Sequence, residues 1–148
     1  YKGKPDQNTD AAALTATYLG IEYVITEKGF SRKIQCRFSK TRSWGKSKTD
    51  YILQHEQGHF DIAEIYIRKL YQAVQAYTFN KKTYKTDLRD IYQRIAKEKD
   101  DFQNEYDAAT HHSINVEQQK IWEAKIKATL KELDAYANYK SLILGKTQ

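Results

Sequence analysis

One cysteine, one proline and no methionine among 148 residues leave this chain with few of the residues that usually announce a class. A single cysteine, Cys36, excludes an internal disulfide and leaves the redox compartment unreadable. Its place between Gln35 and Arg37 in a strand-like run fits a small buried apolar residue, and no chemical role is expected of it. No run of 18 or more apolar residues occurs, so no membrane span is expected, and no apolar signal segment stands in the sequence. The chain opens at Tyr1 without methionine, as expected of a processed chain from which any export signal has gone. Acidic residues are scarce between positions 31 and 50, where Arg32, Lys33, Arg37, Lys40, Arg42, Lys46 and Lys48 face Asp50 alone. Such a patch suits nucleic acid, anionic glycans or acidic substrates. No RNA- or DNA-binding motif accompanies it, so the expectation is a preference for acidic partners or substrates rather than nucleic-acid binding.

What is present is enough for one core. An apolar fraction of 40% supports a single domain over residues 1–148, with residues 1–13, around Gly3 and Pro5, an irregular lead-in. Residues 18–26 and 31–38 are rich in β-branched and aromatic side chains or alternate apolar with polar ones, and Glu27-Lys28-Gly29 between them predicts an antiparallel hairpin. After a basic loop over residues 41–48, Thr49 or Asp50 is placed to cap a helix reaching Tyr77, uninterrupted by proline. Residues 80–86 break the pattern, with Thr86 the expected cap of a second helix carrying Leu88, Ile91, Ile95, Phe102, Tyr106 and Ala109. A second break at residues 112–115 leads to a third helix, with Asn115 and Gln118 set like a capping box and Ile121, Trp122, Ile126, Leu130, Leu133 and Ala137 as its stripe. The expected fold is α+β, a small antiparallel sheet or hairpin packed on three long helices.

The chemistry gathers in His55-Glu56-Gln57-Gly58-His59. On a helix, residues four apart are separated by about 400° of rotation, so His55 and His59 stack on one face and can share one metal ion. Glu56 projects beside them, where a general base must sit to take a proton from water on a metal such as zinc. Catalytic zinc usually has three protein ligands. Glu64 and Asp61 turn about 140° and 200° away from His59, which excludes both as the third, although either can orient the site from behind. The other two histidines, His111 and His112, adjoin at the end of the second helix, and Glu105 offers a carboxylate on nearly the face of His112. Asp107, four residues before His111, can pair with it and leave His112 to turn toward the metal. His112, His111 and Glu105 all remain candidates on spacing alone.

Further residues carry a resemblance. Ser43-Trp44, the run Gln54-His55-Glu56-Gln57-Gly58-His59-Phe60-Asp61, Arg68, and Tyr106-Asp107-Ala108-Ala109-Thr110-His111-His112 resemble a family of bacterial, exported, zinc-dependent proteases with a HEQGHFD helix and no characterised physiological role. The resemblance spans most of residues 15–130. Its second motif, YDxxTxHG, falls on Tyr106, Asp107, Thr110 and His112, which implies His112 as the third ligand; Ser113 stands where the family has glycine. It also implies a zincin-like fold, Zn2+ as cofactor, a peptide or protein substrate, and a periplasmic or extracellular location.

The expectation is therefore a zinc peptidase with His55, His59 and His112 as ligands and Glu56 as general base, with Tyr106 as a donor to the developing oxyanion. Substrate would lie along an open edge of the 31–38 strand. Two alternatives stand beside it: a zinc-bearing interaction or structural module without hydrolytic activity, and a metal-dependent amidase acting on cell-wall peptides.

Overall fold

The computed structural model describes residues 1–9, 11–26, 29–47, 49–139 and 143–145. Its elements in chain order are β1 (Ala13–Leu14), β2 (Thr17–Thr26), β3 (Gly29–Phe38), β4 (Trp44–Gly45), α1 (Asp50–Ala76), α2 (Tyr84–Thr110), α3 (Val116–Glu132), a short 3-10 turn (Asp134–Tyr136) and β5 (Ile143–Gly145). This is an α+β fold of three long helices and small antiparallel sheets. Glu27, Lys28 and Lys48, which the sequence assigns to the hairpin turn and the basic loop, lie outside the described residues. No helix of the described residues is long and apolar enough to cross a membrane.

The helix ends follow from local chemistry. Thr49 caps α1 by accepting from the backbone of Ile52 at 3.3 Å, and Asn115 caps α3 by accepting from Gln118 at 3.1 Å. The expected cap of α2 is corrected: the helix begins at Tyr84, after Thr83, and not at Thr86. Tyr84 packs against Phe79 and Phe30, and that aromatic contact draws the first turn forward by three residues. Thr83 does not cap the backbone; its hydroxyl donates to Asp87 at 2.7 Å.

Helix α1 runs through the middle of the molecule, against α2 and α3 on one side and β2 and β3 on the other. Between Ile62 and Val74 it buries a broad apolar face, leaving Glu64, Arg68, Lys69 and Gln72 as its polar side. Helix α3 contributes one narrow face, Gln119, Trp122 and Ile126; Ile121, expected in that stripe, falls about 100° off it and is 53% exposed. Cys36 is partly buried against the core.

The sheet corrects one expectation. Strand order is β2-β3-β5, so β3 pairs with β2 along its length and with β5 at Phe30, Ser31 and Arg32. The 31–38 strand is thus the middle strand and does not offer its whole length as an open edge. The short strand nearest the histidines is β1, which pairs with β4 and belongs to the lead-in. The lead-in is tied down by Lys2 N to Lys40 O at 2.6 Å and Gly3 N to Ser43 O at 2.9 Å, so its path across the site is set by the 39–47 loop.

Candidate metal centre

The α1 geometry brings His55 and His59 together, their ring centroids 4.9 Å apart and edge-on. Helix α2 crosses close enough to lay Asp107 between them. Asp107 Oδ1 is 3.2 Å from His55 Nε2 and 3.0 Å from His59 Nε2, and the three donor atoms lie within 4.8 Å of one another. Donors at about 2.0–2.2 Å around one tetrahedral zinc stand about 3.3–3.5 Å apart, so this spacing fits a shared ion with little movement.

Gly58 makes the approach possible. A Cβ there would stand 2.8 Å from Tyr106 Cζ and closer still to its hydroxyl, so any larger residue would push α2 off α1. Glycine inside a helix costs about 1 kcal/mol relative to alanine, which here is the cost of close contact.

The protons are set by two glutamines. Gln119 Nε2 donates to Glu123 Oε1 at 3.0 Å, and a carboxylate can only accept, so the amide is oriented with Oε1 toward His55 Nδ1, 2.9 Å away. Gln103 Nε2 donates to the backbone carbonyl of His59 at 2.9 Å, which turns its Oε1 onto His59 Nδ1. Each imidazole must then carry its proton on Nδ1 and present the Nε2 lone pair to Asp107. Two lone pairs and a carboxylate oxygen converging on one point attract a cation. A second proton, on Nε2, is drawn to the same point: burial works against charging His59, but the bond that a charged ring would donate to Asp107 raises its pKa overall. Burial would raise Asp107 too, but bonds from charged His55 and His59 would hold it well below the usual carboxylate range.

Glu56 is buried at 4% exposure, and its Oε2 has no hydrogen-bond partner among the described residues. It lines a cavity of about 180 Å³ with His55, His59, Asp107 and His112, walled on one side by residues 11–15. An unpartnered buried carboxylate oxygen carries a real desolvation cost, and such sites concentrate where chemistry requires them.

His112 is not in the cluster. Its imidazole is 70% exposed at the cavity rim, with Nδ1 3.6 Å from Asp107 Oδ1, and it is Asp107 that stands with His55 and His59. The reason is the end of α2. Pairing of Asp107 with His111 needs helical geometry through residue 111, but the helix stops at Thr110. His111, His112 and Ser113 then follow with φ of 50°, 50° and 77°. Three left-handed residues in a row cost of order 1–3 kcal/mol each, and Ser113 occupies a conformation that glycine adopts freely. His111 is exposed. Glu105 is also exposed, and its field acts on Tyr66.

Tyr106 is likewise corrected. It is fully buried and stacks on His55 at 4.6 Å; its hydroxyl donates to the His55 carbonyl at 3.1 Å and accepts from Gln119 at 2.7 Å. Burial raises its pKa, so it stays a neutral hydroxyl that braces the motif helix and does not face the cavity. Asp61 accepts from Gln57, and Glu64 holds Arg68 and Tyr139, so neither serves the histidines. The residues that do, Gln103 and Gln119, were missed. Gln103 had a readable signal, since Gln103, Tyr106, Asp107 and Thr110 form an i, i+3, i+4, i+7 face; Gln119 had none.

The basic segment also reads differently in three dimensions. Arg32 is buried over Phe30, and Arg37 leans on Glu22 and Gln35. Among the described residues, no lysine or arginine lines the cavity at the cluster.

No curated protein and no solved structure matches the chain significantly. The model of one family, described as bacterial protein of unknown function (DUF922), matches residues 31–113. That span is more than half of the chain and runs from β3 to the strained residues after α2, taking in His55, Glu56, His59, Gln103, Asp107 and His112 but not Gln119. The chain belongs to this bacterial family of unknown function, DUF922.

Proposed function

We propose that the protein is a zinc-dependent peptidase in which His55, His59 and Asp107 hold the metal and Glu56 is the general base. The observation that carries this reading is the pair of oriented glutamines, which turns both Nε2 lone pairs onto Asp107 beside the free oxygen of Glu56. Zinc held by such donors is a Lewis acid that lowers the pKa of water to about 7. Glu56 accepts the proton of the attacking water as its oxygen adds to the peptide carbonyl, and passes that proton to the departing amine nitrogen as the C–N bond breaks. Gln103, Gln119 and Tyr106 keep the imidazoles in register, and His112 at the rim meets substrate. The extended wall of residues 11–15 suits an extended peptide backbone.

A purely structural zinc would have four closed ligands and no base, so the free oxygen of Glu56 favours hydrolysis over a silent binding module. An amidase acting on cell-wall peptides shares every residue role and differs in substrate. The zincin-like relation and the periplasmic or extracellular location belong to the same proposal, and cell fractionation tests the latter.

Turnover of zinc-loaded wild type and Glu56→Gln on a broad peptide library and on cell-wall peptides tests the reading. Glu56→Gln should keep fold and zinc but lose at least about a hundredfold in rate, the lower range for a positioned general base. Equal turnover would remove Glu56 from that role. No cleavage by the loaded wild type on either set would favour the non-hydrolytic module.

A further inference from the structure

Glu56 lines a second cavity on its other side. This one is about 430 Å³, larger than the cavity at the histidines, and Tyr1, Phe38, Leu53 and Phe60 form most of its wall. Thr15 is shared by both cavities, as Glu56 is. The two are therefore neighbours, with the proposed base on the boundary between them.

The wall is assembled from three parts of the chain. Leu53, Glu56 and Phe60 lie at i, i+3 and i+7 of α1, a face of the motif helix distinct from the one that enters the core. Phe38 at the end of β3 meets Phe60 edge-on at 6.5 Å and Tyr1 edge-on at 5.7 Å. Tyr1 is held by a 2.8 Å bond between its hydroxyl and Thr15. Leu53 is 41% exposed, so this apolar surface is not consumed by packing. Among the described residues neither lysine nor arginine lines it; Thr15 and Gln57 are its uncharged polar members and the carboxylate of Glu56 its one charged side chain. A pocket of this size, with mostly apolar walls and a carboxylate on its boundary, is built to take an apolar side chain and to reject an anionic one.

We infer that the Tyr1–Phe38–Leu53–Phe60 pocket is a specificity pocket that receives an apolar side chain, of phenylalanine or leucine size, from a residue flanking the cleaved bond. The inference rests on the peptidase reading for the word cleaved, and on the pocket alone for its chemistry. It replaces the expectation of acidic selectivity: among the described residues no basic side chain of residues 31–50 lines either cavity, whereas Tyr1, Phe38, Leu53 and Phe60 line this one.

Two measurements decide it, one of which needs no turnover. Blocked hexapeptides differing at one position, Phe, Leu, Ala, Asp or Lys, are titrated into the metal-free protein and followed by NMR at Leu53 and Phe60. The Phe and Leu peptides should perturb both residues and bind about tenfold to a hundredfold more tightly than the Ala or Asp peptides, the ratio that full burial of such a side chain supplies. Leu53→Lys, a change at an exposed helix position, should abolish that preference while leaving zinc content intact. The same peptides are then offered to the zinc-loaded protein, where products should carry the apolar residue beside the cut. Cleavage with acidic or indifferent selectivity would overturn the pocket and leave the peptidase reading standing. Absence of cleavage together with selective Phe binding that Leu53→Lys removes would support the pocket and count against the peptidase. Equal binding of all five peptides would overturn the pocket in either case.

Discussion

From Ile62 to Val74, α1 is mostly buried, with Gln72 its one exposed residue, whereas from Asp50 to Asp61 the same helix carries two histidines, a glycine and a glutamate with an unpartnered oxygen. The C-terminal half follows the rules by which a chain becomes stable: Ile62, Ala63, Ile67, Leu70 and Val74 are fully buried, and each excludes water. The N-terminal half breaks several of them. It places a glycine in a helix interior, buries a carboxylate oxygen without a partner, and faces across shared cavities three consecutive left-handed residues at the end of α2. Departures of this kind cluster where geometry is held for a purpose other than stability. The rigid half anchors the helix, and the costly half uses that anchor to aim its side chains.

If the two halves divide their duties in this way, changes in one should leave the other's property intact. The largest effect is expected in the core. Leu70→Ala should lose about 2–5 kcal/mol of stability, measured by denaturant unfolding, yet the molecules that remain folded should bind zinc with unchanged stoichiometry. A loss of zinc affinity in the folded fraction would show that the halves are coupled more tightly than the packing implies.

Next comes the cluster itself. Asp107→Ala should weaken zinc binding by more than about a hundredfold, beyond the range seen for outer partners of a ligand, while His112→Ala should change it by less than about tenfold. Competition titration with a zinc chelator reads both. The reverse order would make His112 the ligand and Asp107 its support.

Gln119→Leu keeps volume but removes the acceptor that fixes the His55 proton, so zinc affinity should fall by about 10–100-fold. Stability should fall by about 1–3 kcal/mol, because the buried Nδ1–H of His55 loses its acceptor and the Tyr106 hydroxyl its donor. An unaltered affinity would show that the tautomer of His55 is not set from α3.

The smallest effect should come from Ser113→Gly, which relieves a left-handed residue. It should add about 1 kcal/mol of stability in thermal or denaturant unfolding, with zinc affinity the same or slightly lower as the rim loosens.

The uneven legibility of the sequence follows the same division. Repetition at helical spacing made α1, α2 and α3 readable, and Thr49 and Asn115 marked two helix starts by their own side chains. His55, Glu56 and His59 were readable because a single helix carries all three. Asp107 was not, because its role depends on α2 lying against Gly58 through Tyr106, a contact between residues 48 positions apart that no local pattern encodes. Spacing left His112, His111 and Glu105 open and the resemblance pointed to His112; the pairing of Asp107 with His111 that would free His112 assumed a helix to residue 111, and the chain turns left-handed there. The lead-in offered no periodicity at all, yet residues 11–15 wall the cavity because the 39–47 loop holds them across it. Irregular backbone is positioned by partners far away in sequence, and a linear reading has no access to them.

The most direct test of the central claim is an anomalous-difference map at the zinc edge, from crystals of the protein grown with one equivalent of zinc. The account predicts one peak per chain, about 2.0–2.2 Å from His55 Nε2, His59 Nε2 and Asp107 Oδ1, with Glu56 beside it and not bound to it. No peak at these residues, or a peak ligated through His112 with Asp107 turned away, would contradict it.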